Sequence, residues 1–158
     1  MVTAPARPAM RVRLRSLRVK GRQLDDVIRV AEFRSALRHF LSVSERVASR
    51  HGLTPQRYLL LLLIKGAPDR RQRTTVTELT DSMQLAQHTV TELVNRAVKV
   101  GLVRREASLD DRRVTYVSLT AEGDRRLSAS FRDLEVERRA LAAAIARIDR
   151  KKSQSRSS

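Results

Sequence analysis

Between Leu24 and about Ala48, apolar residues recur at Leu24, Val27, Ile28, Ala31, Ala36, Leu37, Phe40, Leu41 and Val47, mixing steps of three and four as one helix face requires. His51-Gly52 ends this predicted helix. Thr54-Pro55 then offers an N-cap and a proline at the first helical position, and the Leu59 to Ile64 run is apolar on nearly every side, which suits a short helix buried between neighbours. Lys65-Gly66 closes it. A Pro- and Arg-bearing loop, Ala67 to Thr74, leads to Thr75-Val76-Thr77-Glu78, whose S/T-x-x-E spacing is that of a capping box, and so to a third helix over about Val76 to Met83.

The fourth segment is the most regular. Val90, Leu93, Val94, Ala97 and Val98 fall at i, i+3, i+4, i+7 and i+8, so one narrow stripe packs inward while His88, Thr91, Glu92 and Asn95 point the other way. Gly101 stops the helix. Leu102 to Glu106 and Val114 to Leu119 are β-capable runs joined by Ala107 to Arg113, a hairpin tipped by Asp110-Asp111-Arg112-Arg113. Val114, Tyr116 and Ser118 share one of its faces, Thr115, Val117 and Leu119 the other. Two short helices joined by a tight turn, the second with a polar outward face, followed by a hairpin, describe a winged helix-turn-helix: mainly α, with a small β-hairpin wing.

Further on, Leu127, Phe131, Leu134, Arg138, Leu141, Ile145 and Ile148 follow alternating steps of four and three, a heptad seam interrupted at Arg138. Such a stripe on an otherwise polar helix needs cover, either from the chain's own first helix or from a second copy.

Charge adds a partner to this picture. The 158 residues suit one domain, and 33 Lys and Arg against 17 Asp and Glu give a net charge of +16. Residues 1–22 hold seven basic residues and no acid, and 147–158 hold five against Asp149, so the ends carry +11 and the body keeps +5. A polyanionic partner is expected, but the argument for it has to come from how the body arranges its charge. An Arg at a ribbon tip can enter a narrow minor groove, with the neighbouring Asp organising the turn. The organisation read from the chain is a flexible basic arm over 1–22 (or sequence upstream of a start at Met10), a domain over 23–148 and a basic disordered tail over 149–158. Within the domain the winged helix takes about 54–120, between helices at about 24–50 and 121–148.

Several functions are disfavoured. There is no cysteine, and His39, His51 and His88 lack ligand spacing, so no metal or other cofactor is expected. Asp110-Asp111 has no accompanying nucleophile or glycine-rich phosphate loop, so no enzyme is expected. The longest apolar run, Tyr58 to Ile64, is seven residues, far below the roughly 18 of a membrane span, which predicts a cytoplasmic protein without a membrane partner.

The stretch TVTELTDSMQLAQHTVTELVNRAVKVGLVRREASLDDRRVTYVSLTAEG, with Leu53-Thr54-Pro55-Gln56 before it, resembles the multiple antibiotic resistance regulator (MarR) family of winged-helix transcription factors over roughly residues 25–147. The resemblance implies a homodimer on pseudo-palindromic double-stranded operator DNA, usually a repressor and often released by a small ligand. By position, Gln87, His88, Thr89, Thr91, Glu92 and Asn95 lie on the recognition helix, and Asp111 and Arg113 are the wing Asp and Arg, Arg113 entering the minor groove. Arg104, Arg105 and Arg112 are expected to neutralise phosphates. The seam residues Leu127, Phe131, Leu134, Leu141, Ile145 and Ile148 are assigned to dimerisation, and an effector pocket, its ligand unidentified, is expected between the helix-turn-helix and the dimer helices.

Two departures from the family are informative. Ala86-Gln87 stands where an Asp-Pro start is common, so the helix is expected to begin later, with Thr89 and Glu92 forming a capping pair. Glu92, where a cation is common, is either that cap or an acceptor for cytosine N4. The competing reading is a sequence-independent nucleoid-associated or RNA-binding protein using the basic ends alone. Removing residues 1–22 and 149–158 separates the two, because only the regulator keeps site-selective binding.

Overall fold

The structure, a computed structural model, describes residues 9–149, with side chains described for Gly21 and for 23–148. The elements run α1 (Ala9–Arg50), α2 (Pro55–Lys65), a 3-10 turn (Pro68–Arg70), β1 (Arg73–Thr74), α3 (Val76–Met83), α4 (Gln87–Lys99), β2 (Val103–Ala107), β3 (Thr115–Leu119), α5 (Ala121–Asp133) and α6 (Glu135–Asp149). Local chemistry sets most of these boundaries. Thr54 accepts a hydrogen bond from the Arg57 amide at 3.3 Å and Pro55 opens α2. Both halves of the Thr75/Glu78 capping box form at the start of α3. Gly52 and Gly101 each adopt φ +71, which stops α1 and α4 in a conformation other residues resist.

The chain divides into two units. Leu41–Val136 form one. Its core joins Val47, Leu53, Leu60, Leu61 and Ile64 to Leu79, Val90, Val94, Leu102, Val103, Val117, Leu127 and Leu134. Each such side chain withdrawn from water contributes about 1.5–3 kcal/mol. The three-stranded antiparallel sheet has the order β1-β3-β2, with Arg73 opposite Ser118 and Arg105 opposite Val117. The described parts of Met1–Phe40 and Glu137–Ser158 form the other unit, where Ala144 is buried and Leu24, Val27, Ile28 and Val30 are exposed. Among the described residues, no helix is long and apolar enough to cross a membrane.

Four expectations need correction. First, α1 begins at Ala9 rather than Leu24, so residues 9–22 of the expected arm are helical; no proline falls between Pro8 and Pro55, and Arg, Leu and Lys all favour helix. Residues 1–8 and 150–158 of the arm and tail lie outside the described residues. Second, the C-terminal helix breaks at Leu134 (φ −100, ψ 11), whose side chain is fully buried. Just before the break, Asp133 pairs with His51 at 2.8 Å, tying the end of α5 to the end of α1 and lowering the Asp133 pKa. Third, the wing hairpin gains a third strand, β1, too short for a periodic signal. Fourth, Val98 and Leu59 are exposed, at the edges of their apolar stripes.

Candidate nucleic-acid interface

The turn between α3 and α4 is made by Gln84, a non-glycine residue at φ 53. α4 starts at Gln87 behind Ala86, which supplies no side-chain cap. The later start is therefore not observed, and among the described residues Thr89 and Glu92 form no capping pair; the Thr89 hydroxyl lies 3.2 Å from His88 Nε2 instead. Val90, Leu93, Val94 and Ala97 are buried, and that stripe fixes the rotation of the helix. Gln87, His88 and Glu92 are consequently exposed, and Thr89, Thr91 and Asn95 half-buried.

Pleat alternation separates the two arginines of β2. Arg105 shares a face with Val103 and Val117 and reaches α4, where it donates to Asn95 Oδ1 at 2.9 Å. Arg104 lies on the outer face. There it pairs with Glu106 at 2.6 Å, and Glu106 also accepts from the Ser118 hydroxyl at 2.8 Å; these contacts, Arg104 first, lower the Glu106 pKa. Of the three expected phosphate neutralisers, Arg105 is thus brought to the α4 surface and Arg104 is not, while Arg112 is exposed at the ribbon tip.

The tip is organised from within. Asp111 accepts from the Arg113 amide at 3.0 Å and holds the guanidinium through Nε at 3.1 Å and Nη2 at 3.2 Å. The Asp111 pKa is lowered, chiefly by this side-chain contact. The Arg113 side chain remains 90% exposed, presented outward but braced at its base. Ser108, buried at the root of the loop, accepts from the amides of Asp110 and Asp111 at 3.3 and 3.4 Å, a role the sequence reading left unassigned although a serine before paired Asp residues is its usual signal.

The expected seam is divided between the units. Leu127 and Leu134 are consumed in the core of the Leu41–Val136 unit, where Phe131 stays 45% exposed. In the other unit Ile145 is exposed and Leu141 and Ile148 are half-buried. A groove of about 730 Å3 lies between α2 and α5, its lining including Leu62, Lys65, Gly66, Leu127, Phe131 and Arg132.

Residues 51–114 match the model of the MarR family. Over 100 residues the chain is 31% identical to the uncharacterized HTH-type transcriptional regulator YsmB of Bacillus subtilis, covering 61% of this chain and 66% of that one. Over 88 residues it is 31% identical to the HTH-type transcriptional regulator MhqR of the same organism, covering 56% of this chain and 58% of that one. The chain thus spans 58% to 66% of the length of these curated relatives. A solved structure of a cysteine-to-serine mutant of MarR from E. coli, complexed with operator DNA, is similar in fold, with a TM-score of 0.60 at 18% identity over 77% of this chain and 88% of that one.

Proposed function

The winged helix of this chain belongs to the MarR family, and from that premise we propose that the protein is a sequence-specific double-stranded DNA-binding transcriptional regulator, a ligand-responsive repressor acting as a homodimer on a pseudo-palindromic operator. The exposed face of α4 from Gln87 to Asn95 enters a major groove and reads base edges, while the wing follows the flanking minor groove with Arg113. A two-fold dimer sets two such faces one turn of DNA apart. Phe131, Ile145 and the exposed apolar residues of α1 are the surfaces that pairing would cover. The groove between α2 and α5 is the space an effector would occupy.

The observation that carries this reading is the Asp111–Arg113 brace. Long-range attraction to DNA alone would be stronger without Asp111, because the carboxylate cancels one charge at the tip. The carboxylate orders the turn through the Arg113 amide and at the same time fixes where the guanidinium points, which suits a contact that depends on position more than on charge. The test is fluorescence anisotropy with an operator selected from genomic DNA, over a range of salt. Arg113→Ala should weaken binding roughly tenfold and reduce the salt slope by about one. Asp111→Asn should also weaken binding, although it makes the protein more positive. Unchanged affinity and slope in Arg113→Ala, or tighter binding in Asp111→Asn, would refute the wing assignment.

A further inference from the structure

We propose that the outer face of the wing's base is a binding site for a compact multivalent oxyanion, a phosphorylated small molecule or a short polycarboxylate, separate from the DNA-reading surface. In sequence, Arg70-Arg71-Gln72-Arg73 looks like a solvated charge run. In the structure, the turn after α2 is held in an unusual shape: Asp69, Arg70 and Gln72, none of them glycine, have φ of 58, 56 and 52. Clustered left-handed residues of this kind concentrate at ligand clamps and switch segments. The effect here is to bring Arg71 and Arg73 to the rim of a cavity of about 430 Å3, within the size range of small-molecule sites.

Lys65 from α2 and Arg104 from β2 line the same cavity, opposed by Glu106 and Asp124. The pairing inside it is uneven. Lys65 and Asp124 meet at 2.7 Å, and Arg104 and Glu106 at 2.6 Å, so those four charges cancel. Arg71 pairs with Glu78 at 3.0 Å, outside the lining. Arg73 stacks its guanidinium 4.4 Å from the centre of the Tyr116 ring and has no carboxylate within ion-pair distance among the described residues. Among the described residues, the one lining cation without a carboxylate partner is therefore Arg73, a planar fork suited to bidentate carboxylate or phosphate contacts, and beside it Arg71, whose Nε and Nη2 are engaged by the Pro68 carbonyl and Glu78, keeps Nη1 as a further donor.

The cavity is on the sheet face carrying Arg104 and Ser118, whereas Arg105 reaches α4 from the opposite face. That separation favours a free anion over a phosphate of DNA bound to α4. Saturable anion binding is measured in the absence of DNA, so its failure is distinguishable from failure of the DNA reading.

The experiment is isothermal titration calorimetry of the full chain with citrate and with inorganic phosphate, ionic strength matched with chloride. At least one of the two should bind saturably, once per chain. Arg71→Gln/Arg73→Gln should weaken that binding tenfold or more, while Arg112→Gln/Arg113→Gln, which removes the same charge at the wing tip, should leave it unchanged. Circular dichroism melts establish that the first variant folds; if it does not, Arg73→Gln alone is expected to weaken binding severalfold. Absence of saturable heat with both anions overturns the proposal, and so does equal weakening by both double variants, which would mean that net charge alone is responsible. If Arg71→Gln/Arg73→Gln leaves anion binding intact but weakens duplex binding, the cavity holds a DNA phosphate and the free-ligand proposal is wrong.

Discussion

Gly123 offers the sharpest test of how the winged helix is assembled. It is buried near the start of α5, and a Cβ added there would lie 2.0 Å from the Leu102 carbonyl oxygen and 3.0 Å from its carbon, both backbone atoms. An ordinary carbon–oxygen contact is about 3.3 Å or more, so Gly123→Ala must move α5 and the α4–β2 turn apart by on the order of 1 Å. Neither side gives easily. The Leu102 carbonyl accepts from the Thr120 amide at 3.1 Å and lies 3.2 Å from its hydroxyl, and the Leu102 amide donates to Ala97 at 2.9 Å. Overpacking costs about 1–3 kcal/mol and loosening one or two hydrogen bonds about 1 kcal/mol each, so the expected loss is about 3 kcal/mol. For a chain of this size that lowers Tm by about 6–12 °C. Thermal and urea unfolding of Gly123→Ala should be compared with Gly21→Ala, where a Cβ meets nothing within 4 Å and an exposed helix position should become neutral or slightly more stable. If the two variants unfold together, α5 is not docked on that carbonyl.

Glu78 accepts from the Thr75 amide, the Thr74 hydroxyl and Arg71, which together lower its pKa from 4.5 to about 2. Because the folded value is the lower one, the stabilisation is complete above about pH 4.5 and fades as pH falls towards 2; with the side chain 43% exposed, screening leaves about 1 kcal/mol of it. Glu78→Gln keeps a capping side chain without the titration, so urea unfolding from about pH 5 down to pH 2 should show a shallower acid loss than the parent, and matching curves would refute the assignment. Gln84, at φ 53 in the turn before α4, should gain roughly 1 kcal/mol on replacement by Gly, read as a higher urea midpoint at unchanged slope; destabilisation would mean that its side chain holds the turn.

What could be read from the chain was decided by how far apart the cooperating residues lie. The Thr75/Glu78 box and the Thr54-Pro55 start involve neighbours within a turn, and both are observed where their spacing put them. Asp111 and Arg113 are two apart, so their coupling is a property of the tip itself. His51 and Asp133 are 82 apart and Arg105 and Asn95 ten apart across different elements, and no local pattern announces either pair. Gly123 belongs with these, because its reason is the Leu102 backbone twenty-one positions earlier. The heptad spacing of the C-terminal helix was ambiguous for a different reason. Steps of four and three describe any apolar stripe, whether its members are buried in their own core, as Leu127 and Leu134 are, or stay partly exposed, as Phe131 does.

The ribbon explains why a net charge of +16 is a poor guide to this surface. Period-two alternation sends Arg104 and Arg105 to opposite faces, and each face then disposes of its arginine differently. Outside, Arg104 is cancelled by Glu106 and contributes structure rather than attraction. Inside, Arg105 takes the Asn95 side-chain oxygen; a guanidinium only donates, so the amide is turned with its NH2 group away from that bond, ready to meet an acceptor and not a donor. Arg113 is braced by Asp111 and gives up net charge for a defined position. Three arginines within ten residues therefore do three different jobs, and the carboxylate or amide beside each one decides which. Counting the basic residues would have ranked them alike.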